Sequence, residues 1–212
     1  AESASAELST LRSDAAVSVL RDTFAADLVV LVGSFSGTCG LGYVNFNTRI
    51  ASAPYGFSLI DARCFDSKTT THEIGHNLGC LHDLANNGLT AVNDYSHGMR
   101  YCTGSDTRFH TIMAYYCAYN APAGYVGDFV PGINYFSNPD VDYDGRVTGS
   151  ATKNNARTVR ENMEAVSKFR IACQDDADCT GQGTCAGGIC GYTECAAVGG
   201  NPNNSESGFC SS

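Results

Sequence analysis

The residues best suited to chemistry lie between His72 and Asp83, in the order H-E-x-x-H-x-x-G-x-x-H-D. On a helix, side chains four apart share a face, so His72 and His76 can offer their imidazoles to one ion. Glu73 is rotated from that pair and is expected to reach a water on the ion without binding the ion itself. Gly79 permits a sharp change of direction, because glycine enters conformations with φ > 0 at little steric cost. The bend would bring in His82 as the third ligand. Three protein ligands with an open fourth position describe a catalytic zinc site rather than a closed structural one. A bare H-E-x-x-H occurs in ordinary helices by chance. The added glycine and third histidine set this one apart, as does the gathering of three of the chain's five histidines in one short window.

The motif needs elements to hold it. An apolar stripe of Leu8, Leu11, Ala15, Val19 and Leu20 predicts a helix over about 4–26. Asp27 to Val32 reads as a strand buried on both faces, and Tyr43 to Phe46 and Phe57 to Ala62 read as further strands. Asp66, Ser67, Thr69 and Thr70 offer caps for the histidine-bearing helix. Residues 84–110 read as loop, 111–116 as an apolar turn containing Met113, and 135–149 as an irregular wall. A long C-terminal helix is expected over about Thr152 to Ile171, with Val159, Met163 and Val166 on one side. The expected architecture is therefore α/β (α+β): a twisted mixed sheet, an active-site helix and that long helix.

Composition bounds the rest. With 212 residues, 43% hydrophobic and 17% charged, the chain suits one good core plus an appendage and is not disordered. No apolar run approaches the ~20 residues of a membrane span. A net charge of −9 disfavours nucleic acid and anionic membranes, which call for basic patches. Eleven cysteines point to an oxidising compartment, so secretion is expected, and the odd count leaves at least one unpaired within the chain. The start at Ala1, without methionine or an apolar leader, is read as processing of targeting and pro-segments. Residues 173–212 hold six cysteines among many glycines, too little apolar mass for a core. Two parts are expected: 1–172, which carries the motif, and a disulfide-stabilised Cys-rich module over 173–212. C-x2-C pairs are missing there, which disfavours a zinc ribbon.

Taken together, His72-Glu73-Ile74-Gly75-His76-Asn77-Leu78-Gly79, Thr111-Ile112-Met113-Ala114-Tyr115, Tyr135-Phe136-Ser137-Asn138-Pro139 and Asn155-Ala156-Arg157 resemble the metzincin metallopeptidases. Asp83, directly after the third histidine, resembles the reprolysin-like (adamalysin-like) branch. The Phe-Ser-Asn-Pro segment is similar to bacterial peptidyl-Asp metallopeptidases. The likeness covers about residues 15–171. It implies a secreted zymogen-derived zinc endopeptidase that acts on proteins or peptides, probes no nucleic acid or membrane, and works as a monomer. It also implies that His72, His76 and His82 hold Zn²⁺, that Glu73 is the general base, and that Met113 forms an apolar floor beneath the ligands. Asp83 would orient a ligand or tie the motif to that floor.

The same likeness raises finer expectations. In astacin- and serralysin-like metzincins a tyrosine two residues past the methionine touches zinc. Tyr115 is placed near the metal on that ground, as ligand or oxyanion-stabilising hydroxyl, with a packed aromatic as the alternative. An acidic preference beside the cleaved bond would call for a cation, and Arg100, Arg108, Arg146 and His110 are candidates. His110 stands where the relatives' pattern prefers arginine, which would make the preference pH-dependent. Asp140-x-Asp142-x-Asp144-Gly145 resembles the start of a Ca²⁺ loop, but Ala151 stands where its glutamate belongs. Disulfides Cys39–Cys64 and either Cys80–Cys117 or Cys102–Cys117 are expected, and adamalysin-like folds would recruit Cys173 to the catalytic body. Substrate is expected to add as a strand, with residues 57–62 as partner. The competing class is a Cys-rich adhesion module carrying a catalytically weak protease domain. Degenerate domains of that kind typically lose a ligand, and here all three histidines and Glu73 are present.

Overall fold

The structure, a computed structural model, describes residues 3–45, 50–65, 68–87, 93–104, 107–125, 127, 129–179 and 184–191. It divides into two compact units, Ala1–Phe169 and Arg170–Ser212.

The larger unit begins with α1 (Ala4–Ser13) and α2 (Ala15–Thr23), where one helix over 4–26 was expected. Asp14 divides them. Its backbone is extended and its carboxylate accepts the Val17 N–H at 2.9 Å, so it caps α2 instead of continuing α1. Of the expected stripe, Leu8 and Leu11 are buried, whereas Val19 and Leu20 are exposed.

Three strands follow: β1 (Val29–Gly33), β2 (Gly40–Gly42) and β3 (Phe57–Asp61), in the spatial order β1-β3-β2. β1 runs parallel to β3 and β2 antiparallel to it. Every residue of β3 is buried, while β1 is an edge strand with Leu31 and Val32 exposed, so burial on both faces belongs to β3 and not to residues 27–32. The third strand lies at Gly40–Gly42 rather than at Tyr43 to Phe46; Phe46 is outside the described residues. Glycines serve there because the next helix lies against them, with Thr69 Cγ2 and Glu73 Oε1 each 2.6 Å from where a Gly40 Cβ would be. Ala4, Leu8 and Leu11 pack on Phe35, Phe57 and Leu59 to form the core between α1 and the sheet.

The motif helix α3 is Thr69–Asn77. Its N-cap position is Lys68, without a side-chain cap; the alternatives Asp66 and Ser67 lie outside the described residues. The stretch expected to be loop contains β4 (Arg100–Tyr101) and β5 (Phe109–His110), an antiparallel pair. The expected irregular wall contains the hairpin β6 (Asp142–Tyr143) and β7 (Arg146–Val147). Its Asp144-Gly145 turn has φ of 51° and 82°, the mirror-image turn that suits strand twist. The last helix, α4, spans Asn155–Val166 and is shorter than the expected 152–171, because Asn154 caps it by accepting the Arg157 N–H at 2.9 Å.

Disulfides Cys39–Cys64 and Cys102–Cys117 brace this unit, and Cys80 is a buried free thiol. The smaller unit contains the hairpin β8 (Thr184–Ala186) and β9 (Ile189–Gly191), held by Cys173–Cys185 and Cys179–Cys190. Cys173 thus pairs inside its own module and is not recruited to the catalytic body. Cys195 and Cys210 lie outside the described residues. Among the described residues, no helix is long and apolar enough to cross a membrane.

Candidate active site and metal centre

The site is built on the end of α3. Leu78 is the C-cap, and Gly79, at φ +88°, turns the chain away. Gly79 N–H bonds His76 O at 2.9 Å and Cys80 N–H bonds Gly75 O at 2.9 Å, the paired bonds of a Schellman motif. A side chain at Gly79 would meet Asn45 O at 2.9 Å, so space as well as φ requires glycine. The turn hands Cys80 O to His76 Nδ1 at 2.8 Å, and the chain then returns with Leu81 N–H on Ser96 O to carry His82 inward.

The three rings converge. Nε2 of His82 lies 3.1 Å from Nε2 of His72 and 3.0 Å from Nε2 of His76. On the far side of each ring, Nδ1 of His72 meets Ile112 O at 2.8 Å and Nδ1 of His76 meets Cys80 O, while His82 bonds the backbone of Asn86. A carbonyl can only accept, so each Nδ1 facing one carries the proton and the inward Nε2 presents a lone pair. Burial pushes His72 and His76 below the ordinary histidine range and His82 down to about 4, which keeps the rings neutral. Neutral nitrogens aimed at one point suit a tetrahedral cation: bonds of ~2.0–2.1 Å would place the nitrogens about 3.3 Å apart. These three residues form a group able to hold a metal ion.

Glu73 is buried beside them, its carboxyl against β2 and bonded by the Gly42 backbone. In this pocket burial raises its pKa to about 8, against the lowering effect of the Gly42 bond.

Asp83 joins the motif to the Met113 turn. It accepts the Tyr115 N–H at 3.1 Å, both oxygens take Asn86 Nδ2 at 2.9 Å, and Oδ1 pairs with Arg100 Nε at 3.1 Å in a nearly sealed ion pair. Met113 is fully buried, with its Sδ 2.6 Å from where a Gly75 Cβ would begin, so it lies directly under α3. Tyr115 packs its ring on His82, with centroids 4.3 Å apart, and on Tyr119 at 4.8 Å. Burial, then Tyr119 and Glu73, raise the pKa of its hydroxyl.

Other expectations fare differently. Arg100 is not available for an acidic substrate, because Asp83 and the carbonyls of Tyr119 and Asn120 occupy its guanidinium. Arg146 lies over the Tyr101 ring at 4.3 Å, and Arg108 has partners of its own. Burial, with the Lys68 ammonium nearby, lowers the pKa of His110, so it is not a source of charge near neutrality. The aspartates at 140–144 serve their hairpin: Asp142 accepts the Gly145 N–H at 2.8 Å. Among the described residues no group of three ligand side chains gathers there. Residues 57–62 cannot accept a substrate strand, since β3 is covered on both edges; the open edge beside Glu73 belongs to β2.

Sequence reasoning passed over the buried groups that position the motif. Asn77 Nδ2 donates to Tyr43 O at 2.9 Å and Phe57 O at 3.2 Å, fastening α3 to the sheet. His97 Nδ1 meets His82 O, Asn155 Nδ2 donates to Leu81 O, and Asn162 Nδ2 donates to Leu78 O. No local sequence pattern marks these residues, because each one's partner is a backbone atom of a distant segment.

The chain belongs to metallopeptidase family M12, whose Reprolysin_5 model matches residues 1–137. It is 34% identical over 152 residues to the peptidyl-Asp metalloendopeptidase of Stenotrophomonas maltophilia (strain K279a), covering 71% of this chain and 33% of that protein. It is 35% identical over 152 residues to the enzyme of the same name from Xanthomonas campestris pv. campestris, covering 71% of this chain and 32% of that one. The chain thus spans about a third of the length of these curated relatives. A solved chaperone–substrate complex contains a chain similar in fold, with a TM-score of 0.55 and 24% identity over 80% of this chain and 25% of that one.

Proposed function

We propose that residues 1–172 form the catalytic domain of a secreted zinc endopeptidase that cuts protein or peptide chains beside an acidic residue. One observation carries this reading: three imidazoles with inward Nε2 lone pairs and outward Nδ1 bonds stand next to a buried carboxyl. The relatives' shared name, peptidyl-Asp metalloendopeptidase, supports the acidic preference. Four disulfides among the described residues support an extracellular setting, where such bonds persist.

In this reading His72, His76 and His82 hold Zn²⁺, which when bound supplies Lewis acidity to a carbonyl and lowers the pKa of water. The positive charge of a cation held by the three histidines would favour the ionised form of Glu73 against the effect of burial, and in that form Glu73 takes a proton onto its carboxylate from the attacking water and passes it to the departing amine nitrogen. The Gly42 bond fixes the carboxyl during both transfers. Substrate lies extended along the open edge of β2, which leads past Glu73. Met113 keeps the ligand rings from sinking, and Asp83 locks the Met113 turn to the motif. Tyr115, packed against His82, offers its hydroxyl to the developing oxyanion.

Digestion of a peptide library with and without a zinc chelator, read by mass spectrometry, tests this. Chelator-sensitive cuts clustered beside Asp or Glu are expected. Cleavage that survives chelation, or none by zinc-loaded protein, would end the proposal.

A further inference from the structure

The ring contacts around the site do not end at the three histidines. Tyr115 packs against His82 with centroids 4.3 Å apart, Tyr119 meets Tyr115 at 4.8 Å, and Tyr116 meets Tyr119 at 6.0 Å. The two tyrosine pairs are edge to face, at interplanar angles of 83° and 68°, an arrangement that aromatic pairs favour and that leaves ring surface uncovered. Tyr116 is 58% exposed and Tyr119 46%. Single exposed apolar side chains are ordinary on a protein surface. A contiguous series that starts on a metal-facing ring is not, because rings that served only the core would be buried.

The turn that carries these rings is braced on several sides. Tyr119 N–H bonds Tyr116 O at 3.0 Å, and Cys117 between them is bridged to Cys102. Arg100 Nη1 donates to Tyr119 O at 2.8 Å and Nη2 to Asn120 O at 3.1 Å, while Asn120 Nδ2 donates to Asn86 Oδ1 at 2.8 Å. Asp83, bonded to both Arg100 and the Tyr115 N–H, joins that brace to the metal motif. A surface fixed in this way loses little freedom on binding, and tyrosine has few rotamers to lose. The result is a preorganised aromatic shelf, open to solvent and continuous with the metal site.

We propose that Tyr119 and Tyr116 form a shelf that receives an aromatic side chain of the substrate. This rests on the endopeptidase reading above and adds to it a second point of selection, apart from the acidic residue. Tyr119 lies within about 9 Å of the His82 ring, a distance that two or three residues of extended chain cover at ~3.3 Å each. The favoured side chain therefore stands two or three residues from the cleaved bond, with its ring against Tyr119.

The test uses the zinc-loaded full chain and peptides with a single Asp, in which Phe or Ala stands at the second or third position on either side of the cleaved bond, with kcat and KM measured for each. The wild type is expected to favour Phe over Ala at one of these positions by roughly tenfold in kcat/KM, mostly through KM, as burial of an aromatic ring would give. Tyr119→Ala and Tyr116→Ala are each expected to lower that ratio by about threefold or more at unchanged zinc content, whereas Tyr119→Phe keeps it. A wild-type ratio retained in both alanine variants would overturn the assignment. Peptides cut at equal rates by the wild type, whichever residue stands at these positions, would remove the shelf and leave the endopeptidase reading intact. If the zinc-loaded wild type cut none of the peptides, the endopeptidase reading would fail first, and the shelf with it.

Discussion

Replacing Asp83 by alanine should unsettle the site without touching any of the three histidines. The Asp83 and Arg100 side chains are 4% and 8% exposed, and Asp83 also receives the N–H groups of Ala85 and Tyr115 and the amide of Asn86. Its loss strands a buried guanidinium, a change that typically costs ~3–5 kcal/mol. Arg100 keeps the carbonyls of Tyr119 and Asn120, which favours the lower end of that range. For a unit of this size the melting temperature should fall by about 6–20 °C. Arg100→Met should cost less, because Asp83 retains three donors, and the double variant should recover part of the loss of Asp83→Ala. Urea unfolding of the metal-free protein with disulfides intact measures all three. A loss below about 1 kcal/mol for Asp83→Ala, or additive losses in the double variant, would refute the reasoning.

Two further perturbations follow from the same structure. Gly79→Ala should cost about 1–3 kcal/mol for φ +88° alone, with more from the contact with Asn45 O, and should weaken zinc binding because Cys80 O no longer meets His76; zinc titration with a fluorescent competitor reads this. Unchanged affinity would remove the turn from the account. Asp61, bonded by Arg63 and the Phe35 N–H, has its pKa held well below the ordinary carboxylate range. Its contribution is complete above the unfolded pKa of ~3.9 and is lost as pH falls towards the folded value. Stability should therefore drop below about pH 4, and less steeply in Asp61→Asn; equal slopes would show that Asp61 does not contribute.

The convergence of the three histidines was legible because its geometry is local: His72 and His76 share a helix face, and Gly79 marks the turn that brings His82. Met113 and Asp83 were legible through family likeness and stand where they can act together. Long-range placement was not legible. The sequence of β2, Gly-Leu-Gly, lacks alternation, and its place beside α3 is what makes a strand of it. Strand order hid the fact that residues 57–61 are covered on both edges, and with it the open edge at β2. Asp14 could have been read as a cap, but the apolar stripe running across it suggested one helix. Asn77, His97 and Asn155 hold backbone atoms of distant segments, and no local pattern marks such partners.

The central claim is that three histidines hold a zinc ion while Glu73 moves the proton. Zinc content and peptide hydrolysis measured side by side for wild type and Glu73→Gln test it most directly. The account predicts one zinc per chain in both proteins, with cleavage falling in the variant by at least about 100-fold, the scale of a lost general base. A Glu73→Gln protein that cleaves at the wild-type rate, or a wild type that cleaves without bound metal, would contradict it.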